Sequence, residues 1–334
     1  MTSDVMMAGA TPHPTAHEDA QRRRIGLSGY LACFLGIVWR EVLRFIHQRE
    51  RFLSALVRPL LWLLCFAVGM RATQGMSPTA PYTTYVMYET YITPGLVGMI
   101  LLFNAMQSSL SMVYDRETGA MRTLLVSPFP RSFLLFSKLV GGVLVAVLQV
   151  YTFLFVARLY DSWTWQPSTG WAGFVSSIPS NLHDLWAQFA SVDPAPMGYL
   201  TILPALIMGG LMLGAFALFI SSVIKQLENF AGIMNFVIFP MFFMSSALYP
   251  LWRIREGAPW LANVAGANPF THAVELIRFA LYGQIGPSLE DGRLDLTHLY
   301  IVIGCTIFFL SAAIYAYNPS KGLIARRGGP GGGA

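Results

Sequence analysis

The chain has 334 residues, of which 54% are hydrophobic and only 12% are charged, and its mean hydropathy is +0.52. A soluble globular chain carries about 25% charged residues, so this composition excludes an ordinary water-soluble enzyme or binding domain. The formal net charge of +5 is unevenly spread, and apolar runs extend through most of the length. A single membrane domain is the simplest organisation.

Residues 1–28 are polar and end near Arg22, Arg23 and Arg24. The apolar run that follows, 31–38, is too short for a signal-peptide core and lacks the small-residue cleavage pattern. The expectation is a disordered cytoplasmic tail. From 29 to 51, Leu31, Phe34, Leu35, Val38, Val42, Phe45 and Ile46 recur at spacings of three and four. Arg40, Glu41, Arg44, Gln48 and Arg51 fall mainly on the other side. This pattern predicts an amphipathic helix lying in the membrane surface. The alternative is a soluble helix packed on a partner.

A spanning helix needs about 20 mostly apolar residues. Six windows fit: 52–70, 91–113, 139–160, 199–224, 230–249 and 299–317. Pro59 falls in the first turns of the first window, where a missing N–H costs little. Pro204 and Pro240 fall inside later windows and predict kinks. Gly209, Gly210, Gly214, Ala215 and Ala217 give the fourth window a small-residue face suited to close helix contact.

Basic residues favour the cytoplasmic side. With six spans and a cytoplasmic N-terminus, fifteen of them lie inside: Arg22, Arg23, Arg24, Arg40, Arg44, Arg49, Arg51, Arg116, Arg122, Arg131, Lys138, Lys225, Lys321, Arg326 and Arg327. Six lie outside: Arg71, Arg158, Arg253, Arg255, Arg278 and Arg293. Arg58 sits near the membrane. Both termini are then cytoplasmic, and the Gly-rich residues 321–334 form a flexible tail. Two external segments are long. Residues 161–198 hold Trp163, Trp165, Trp171 and Trp186, a residue type that prefers the membrane–water boundary. Residues 250–298 read as two short helices, with Asn268 as a cap and Pro269 at the first helical position. Glu275 and Arg278 are spaced for an i,i+3 ion pair.

The familiar chemical motifs are missing. There is no GxxxxGK[ST], HExxH or GxSxG. The six histidines show no metal spacing within a span, and Cys33, Cys65 and Cys305 are far apart in apolar surroundings, so no metal site is expected. The window centres carry almost no ionisable residues, which argues against a proton- or ion-coupled carrier. If the chain moves something, the energy comes from another subunit and the path is apolar.

The loop after the second window, within 114–138, is the sharpest signal. Asp115, Arg116, Glu117 and Arg122 are polar, whereas Met121, Leu124, Leu125 and Val126 are apolar with no membrane to enter. Ser127, Pro128, Phe129 and Pro130 stop any helix. Such a segment fits a short helix that docks in a groove. It also fits a charged loop anchoring two helix ends.

The run Glu117, Thr118, Gly119, Ala120, Met121, Arg122, Thr123, Leu124, Leu125, Val126, Ser127, Pro128, Phe129, Pro130, Arg131 resembles the coupling-helix loop of type-2 ABC exporter permeases. A second stretch resembles the end of that family's fifth helix and its re-entrant external helices: residues 243–250, ending in Tyr249 and Pro250, then Pro259, Trp260 and Leu261, then Asn268, Pro269, Phe270, Thr271 and Arg278. Ser246 stands where the family often has glycine. The amphipathic 29–51 matches the family's interfacial connecting helix. The resemblance covers about 30–317 in the right order.

The resemblance implies an all-α membrane protein with six transmembrane helices, an interfacial N-terminal helix, a cytoplasmic coupling helix and external re-entrant helices, with the permease domain over 52–320. It implies the membrane subunit of an ATP-driven exporter in a bacterial inner membrane, not itself an enzyme. ATP and Mg would sit on a separate ABC ATPase subunit, with no cofactor in this chain. The partners implied are that ATPase, a second copy of the chain and membrane lipid, with no nucleic acid. The coupling surface would comprise Glu117, Thr118, Gly119, Met121, Arg122, Leu124, Leu125, Ser127, Pro128 and Arg131. Met99, Phe103, Met241, Phe243 and Met244 are candidates for the lining of a path for a drug, lipid, glycolipid or polysaccharide; simple packing explains each equally well. The rival class is a polytopic membrane scaffold without cargo.

Overall fold

A computed structural model describes residues 26–47, 49–63, 65, 88–117, 129–162, 196–224, 226–282 and 296–316. Both expected tails, apart from residues 26–28, and most of the external segment 161–198 lie outside these residues. Every regular element among the described residues is a helix. They are α1 (Leu27–His47), α2 (Arg49–Trp62), α3 (Tyr88–Glu117), α4 (Arg131–Ser162), α5 (Pro196–Val223), α6 (Leu227–Phe243), α7 (Leu251–Gly257), α8 (Pro259–Ala267), α9 (Pro269–Tyr282) and α10 (Leu296–Ala316).

Four stretches are long and apolar enough to cross a bilayer: Tyr91–Tyr114, Ser132–Ala157, Gly198–Val223 and Leu296–Ala316. They correspond to the second, third, fourth and sixth windows. The first and fifth windows are not matched by a helix of spanning length among the described residues. In the first, the described helix is α2, which has 14 residues including Arg49, Arg51 and Arg58. The rest of window 52–70, beyond residue 65, lies outside the described residues. The fifth window is a helix of only 17 residues, α6, which stops at Phe243 and gives way to turns over 244–249.

Helix α5 is the hub. It packs against α3, α4, α9 and α10. Small residues let these axes approach. A Cβ on Gly209 would touch Ala273 of α9 at 3.5 Å, and one on Gly210 would touch Val143 of α4 at 3.1 Å. Gly214 faces Leu139 of α4 with no room for a side chain. Helix α3 is largely buried in this arrangement, whereas α10 presents Tyr300, Ile307, Phe308 and Tyr315 outward, as a lipid-facing helix does. Between α3 and α4, the Asn104 side-chain amide donates to the Gln149 carbonyl and to the Ile100 backbone carbonyl. Buried amides of this kind fix helix register where no water can substitute.

Helix α1 has three sides rather than two. Val38, Glu41 and Phe45 are buried, with Glu41 and Val38 against Gly141 of α4. Leu31, Leu35, Trp39 and Ile46 form an exposed apolar stripe beside them. Arg40 and Arg44 complete the circuit and share Glu41, at 3.4 and 3.7 Å. A face that is neither core nor aqueous is what a helix at a lipid surface requires.

Two glycines of α3 set how closely the outer elements approach. A Cβ on Gly98 would lie 2.8 Å from Val274 of α9, and one on Gly95 would lie 2.5 Å from the carbonyl oxygen of Ala247. A backbone oxygen cannot swing aside as a side-chain tip can. Gly95→Ala is therefore expected to destabilise the fold by about 1–3 kcal/mol through overpacking. Gly36→Ala on α1, with nothing within 4 Å, should be neutral or slightly stabilising from helix propensity. Thermal unfolding of both variants in the same detergent checks the contrast. Equal melting temperatures would contradict it.

Candidate functional site: the turn after α6 and its holders

The end of α6 is built by hydrogen bonds that replace the missing helix. The Met244 N–H still donates to the Pro240 carbonyl at 2.9 Å, but Met244 itself has left the helical region at φ −93°, ψ 51°. Ser245 donates its hydroxyl to the Phe242 carbonyl at 2.6 Å and accepts from the Ala247 N–H at 3.2 Å. The last carbonyls of a helix need such partners when they are buried. Asn268 supplies two more. Its Nδ2 donates to the carbonyls of Met241 and Met244, each at 2.8 Å. Its Oδ1 accepts the Phe270 N–H at 3.0 Å, the N-cap contact expected before Pro269. One side chain thus closes α6 and opens α9. Thr271 adds a hydrogen bond from its hydroxyl to the Ala265 carbonyl of α8 at 2.7 Å.

Arg278 holds the same turn from below. It is 2% exposed. Its guanidinium donates to the Glu275 carboxylate at 2.5 Å and to the Ser246 carbonyl at 2.9 Å. Its central carbon lies 4.1 Å from the centre of the Tyr91 ring, a cation–π distance. The Tyr91 hydroxyl donates to the same Ser246 carbonyl at 2.9 Å. The Ser246 carbonyl therefore joins α3, α9 and the turn. Around it, the Tyr88 and Ser246 hydroxyls and the Trp252 ring N–H are buried without hydrogen-bond partners among the described residues. Burial pushes the Tyr88 hydroxyl pKa up, with a further contribution from Tyr249. Tyr249 is exposed, and Pro250 leads into α7, its carbonyl accepting the Arg253 and Ile254 N–H groups.

An aromatic seam lies beside the turn. The Trp62 ring of α2 meets Phe242 and Phe243 edge-on, both at 5.6 Å. Phe243 stacks on Phe239, and Phe242 meets Phe270 of α9. Arg58 of α2 caps the Phe103 ring at 4.1 Å. Of the five candidate lining residues, Met99 and Phe103 are buried, Met241 and Met244 are half-buried, and Phe243 is 46% exposed. They do not form one continuous surface within a single copy of the chain. The sequence alone does not single out Tyr91, Arg58 or Trp62 as site residues. A buried arginine needs acceptors and a π face, and that is the one signal that could direct attention to Tyr91.

At the opposite end, Glu117 is the last residue of α3 and Arg131 the first of α4. Thr118, Gly119, Met121, Arg122, Leu124, Leu125, Ser127 and Pro128 lie outside the described residues. The exit from that segment is anchored. The Phe129 ring lies 5.1 Å from Tyr30 of α1 and 5.9 Å from Phe133, and Tyr30 meets Phe133 edge-on at 5.1 Å. No group of three or more His, Cys, Asp or Glu among the described residues could hold a metal.

Residues 33–282 match the family model for the ABC-2 type transporter. The ycf38 transport permease of Porphyra purpurea is 24% identical over 293 residues, covering 87% of this chain and 88% of that protein. The multidrug ABC transporter permease YbhR of Escherichia coli K12 is 26% identical over 219 residues, or 64% of this chain and 48% of YbhR. The daunorubicin resistance ABC transporter permease protein DrrB1 of Streptomyces coeruleorubidus is 22% identical over 250 residues, covering 75% of each.

The Arg278 cluster gives a stability prediction. Arg278→Met strands the Glu275 carboxylate in a largely buried place and leaves Ser246 one donor short. The expected loss is about 3–5 kcal/mol, the cost of breaking one side of a buried ion pair. Glu275→Gln with Arg278→Met should recover part of that loss, since no charge is left unanswered. Thermal melts of the wild type, the single and the double variant measure this. A double variant no better than the single one would contradict the pairing.

Proposed function

The chain belongs to the ABC-2 type transporter family, and from that premise we propose that it is the membrane subunit of an exporter driven by a separate ABC ATPase. The chain acts as a homodimer of six-span permeases in a bacterial inner membrane, with both termini in the cytoplasm. Helix α1 lies in the inner-leaflet surface. Helix α2 is the described part of the first span. The turn after α6 and helices α7–α9 re-enter from the external side.

The observation that carries this reading is the match over 33–282, which spans both the cytoplasmic segment 117–131 and the α6–α9 turn. The division of labour follows from chemistry. The chain has no phosphate-cradling loop, so ATP is handled elsewhere and force must enter through a surface contact. Residues Glu117, Thr118, Gly119, Met121, Arg122, Leu124, Leu125, Ser127, Pro128 and Arg131 form that contact. Closure of the ATPase moves this element, and the Tyr30–Phe129–Phe133 rings pass the motion to α1 while α3 and α4 carry it across the membrane.

The second copy covers the exposed apolar face that α6 and α2 share. Phe236 is 78% exposed, and Ile233, Phe239, Phe243, Val57 and Leu61 are exposed with it. A path between the two copies would then be bordered by Phe243, Met241 and Met244, with Met99 and Phe103 reached only when α2 and α6 part. Such walls suit a hydrophobic or amphipathic cargo. YbhR is named for multidrug transport and DrrB1 for daunorubicin resistance, which supports that class.

The coupling claim is tested by replacing Glu117 and Arg122 together with alanine in the complex with the cognate ATPase. Assembly is expected to weaken, and cargo-stimulated ATP hydrolysis to fall at least about tenfold, as when a docking contact worth roughly 1.4 kcal/mol is lost. Unchanged assembly and unchanged stimulation would exclude this segment as the point of energy entry. Separately, Met244→Trp should change export without changing the yield of folded protein. Export at the wild-type rate would remove Met244 from the path.

A further inference from the structure

Two histidines meet where α9 packs on α10, and the functional reading above makes no use of them. His272 Nδ1 lies 2.7 Å from His298 Nδ1, and His272 Nε2 lies 3.0 Å from the Gly266 carbonyl of α8. His272 is buried, whereas His298, in the first turn of α10, is partly exposed and reachable by water.

The protons in this arrangement can be counted. A carbonyl only accepts, so His272 Nε2 carries a hydrogen in every state that keeps the Gly266 contact. The nitrogen-to-nitrogen contact needs one hydrogen between the two Nδ1 atoms and one lone pair to receive it. A neutral pair satisfies this with His298 donating to His272. A pair carrying a single added proton also satisfies it, whichever ring holds the charge. A pair with two added protons does not, because both Nδ1 atoms then carry hydrogens and two imidazolium rings face each other at contact distance. The first proton leaves the bond intact and the second ends it.

We propose that His272 and His298 form an acid-released latch that holds α9 against α10. The consequence reaches the turn after α6, because α9 starts at the Asn268 cap and carries Arg278, the two groups that hold that turn. Among the described residues the charged and titratable neighbours are few; Glu290, Asp291, Arg293 and Asp295, which precede His298 in sequence, lie outside them. Helix α8 contributes none. Helix α9 brings Glu275 and Arg278, which pair with each other. Helix α10 brings Tyr300, and α5 brings Tyr199, whose backbone carbonyl accepts the Tyr151 hydroxyl. The first turns of α3 contain Tyr88, Glu89 and Tyr91, with the Tyr91 ring beneath Arg278. The latch holds at neutral pH and is lost in acid, when the pair takes up its second proton. That it senses the external medium rests on the proposed topology; the latch itself does not.

Hydrogen–deuterium exchange on the full chain in lipid nanodiscs tests the latch without ATPase or cargo. Exchange in peptides from 269–282 and 296–316 is followed from about pH 7.5 to about pH 3.5, corrected for intrinsic rates, so that the scan passes well below the range where a single histidine switches and reaches the second proton of the pair. The wild type is expected to lose protection at the α9–α10 contact by about tenfold at the acidic end, the change given by one lost hydrogen bond of ordinary strength. The substitution His298→Asn places an amide that donates but does not titrate, so protection in that variant should be independent of pH. His298→Phe should be unprotected throughout. A flat wild-type profile, or a His298→Asn variant that loosens with acid as the wild type does, would overturn the proposal. Failure of the coupling experiment above would leave this readout unaffected.

Discussion

A single buried guanidinium organises the end of this molecule around the turn after α6. Arg278 is almost wholly removed from water, and a charge in that position must be answered on every side. Glu275 answers it on the same helix, Tyr91 answers with its ring, and the Ser246 carbonyl answers from the turn. Those three partners belong to α9, α3 and the end of α6. Their mutual placement follows from one residue's need for acceptors. The close approach that this demands is possible because Gly95 and Gly98 remove side chains from the face of α3 that meets the turn and α9.

Once the turn is fixed, α6 cannot continue. Its last carbonyls are taken by Met244, Ser245 and Asn268, and the chain doubles back through α7 and α8. The result is a short apolar helix next to the Trp62 and Phe243 rings, with an outer face that nothing described in one copy covers. The other end of the molecule has a different character. There the Tyr30, Phe129 and Phe133 rings fasten the exit of segment 117–131 to α1, while α1 keeps Glu41 against Gly141 of α4. A polar segment closed by prolines lies at one end and a hydrogen-bonded turn at the other, joined by the long helices α3 and α4. That layout suits a protein that is pushed from one side and opens on the other.

Much of this was legible because membrane helices announce themselves by length and hydropathy. Four of the six windows coincide with helices long enough to span. Of the other two, 52–70 is described only in part and 230–249 ends early. Window 230–249 is apolar apart from Asn235, Ser245 and Ser246, and hydropathy cannot distinguish a helix from a buried turn whose polar backbone is satisfied by distant side chains. The partner that ends α6 is Asn268, more than twenty residues further on. Window 52–70 begins beside Arg49 and Arg51 and contains Arg58, and the boundary between α1 and α2 leaves no compositional mark. Asn268 as a cap and Glu275 with Arg278 as a pair were readable because both are local contacts. Tyr91 with Ser246 was not, since the two are 155 positions apart. Residue type alone marks the path-lining candidates, and type does not separate Met99, deep in the core, from Phe243 at the surface.

The central claim is that energy delivered to the cytoplasmic segment by a separate ATPase changes the outer turn between two copies of this chain. The most direct test places a spin label at Tyr249→Cys, in an otherwise cysteine-free chain, in nanodiscs with the cognate ATPase. The distance between the labels on the two copies is then measured with and without ATP. The account predicts a distance distribution that shifts on ATP binding and reverts on hydrolysis. A distribution that is unchanged by ATP, in a complex that still hydrolyses ATP and exports cargo, would contradict it.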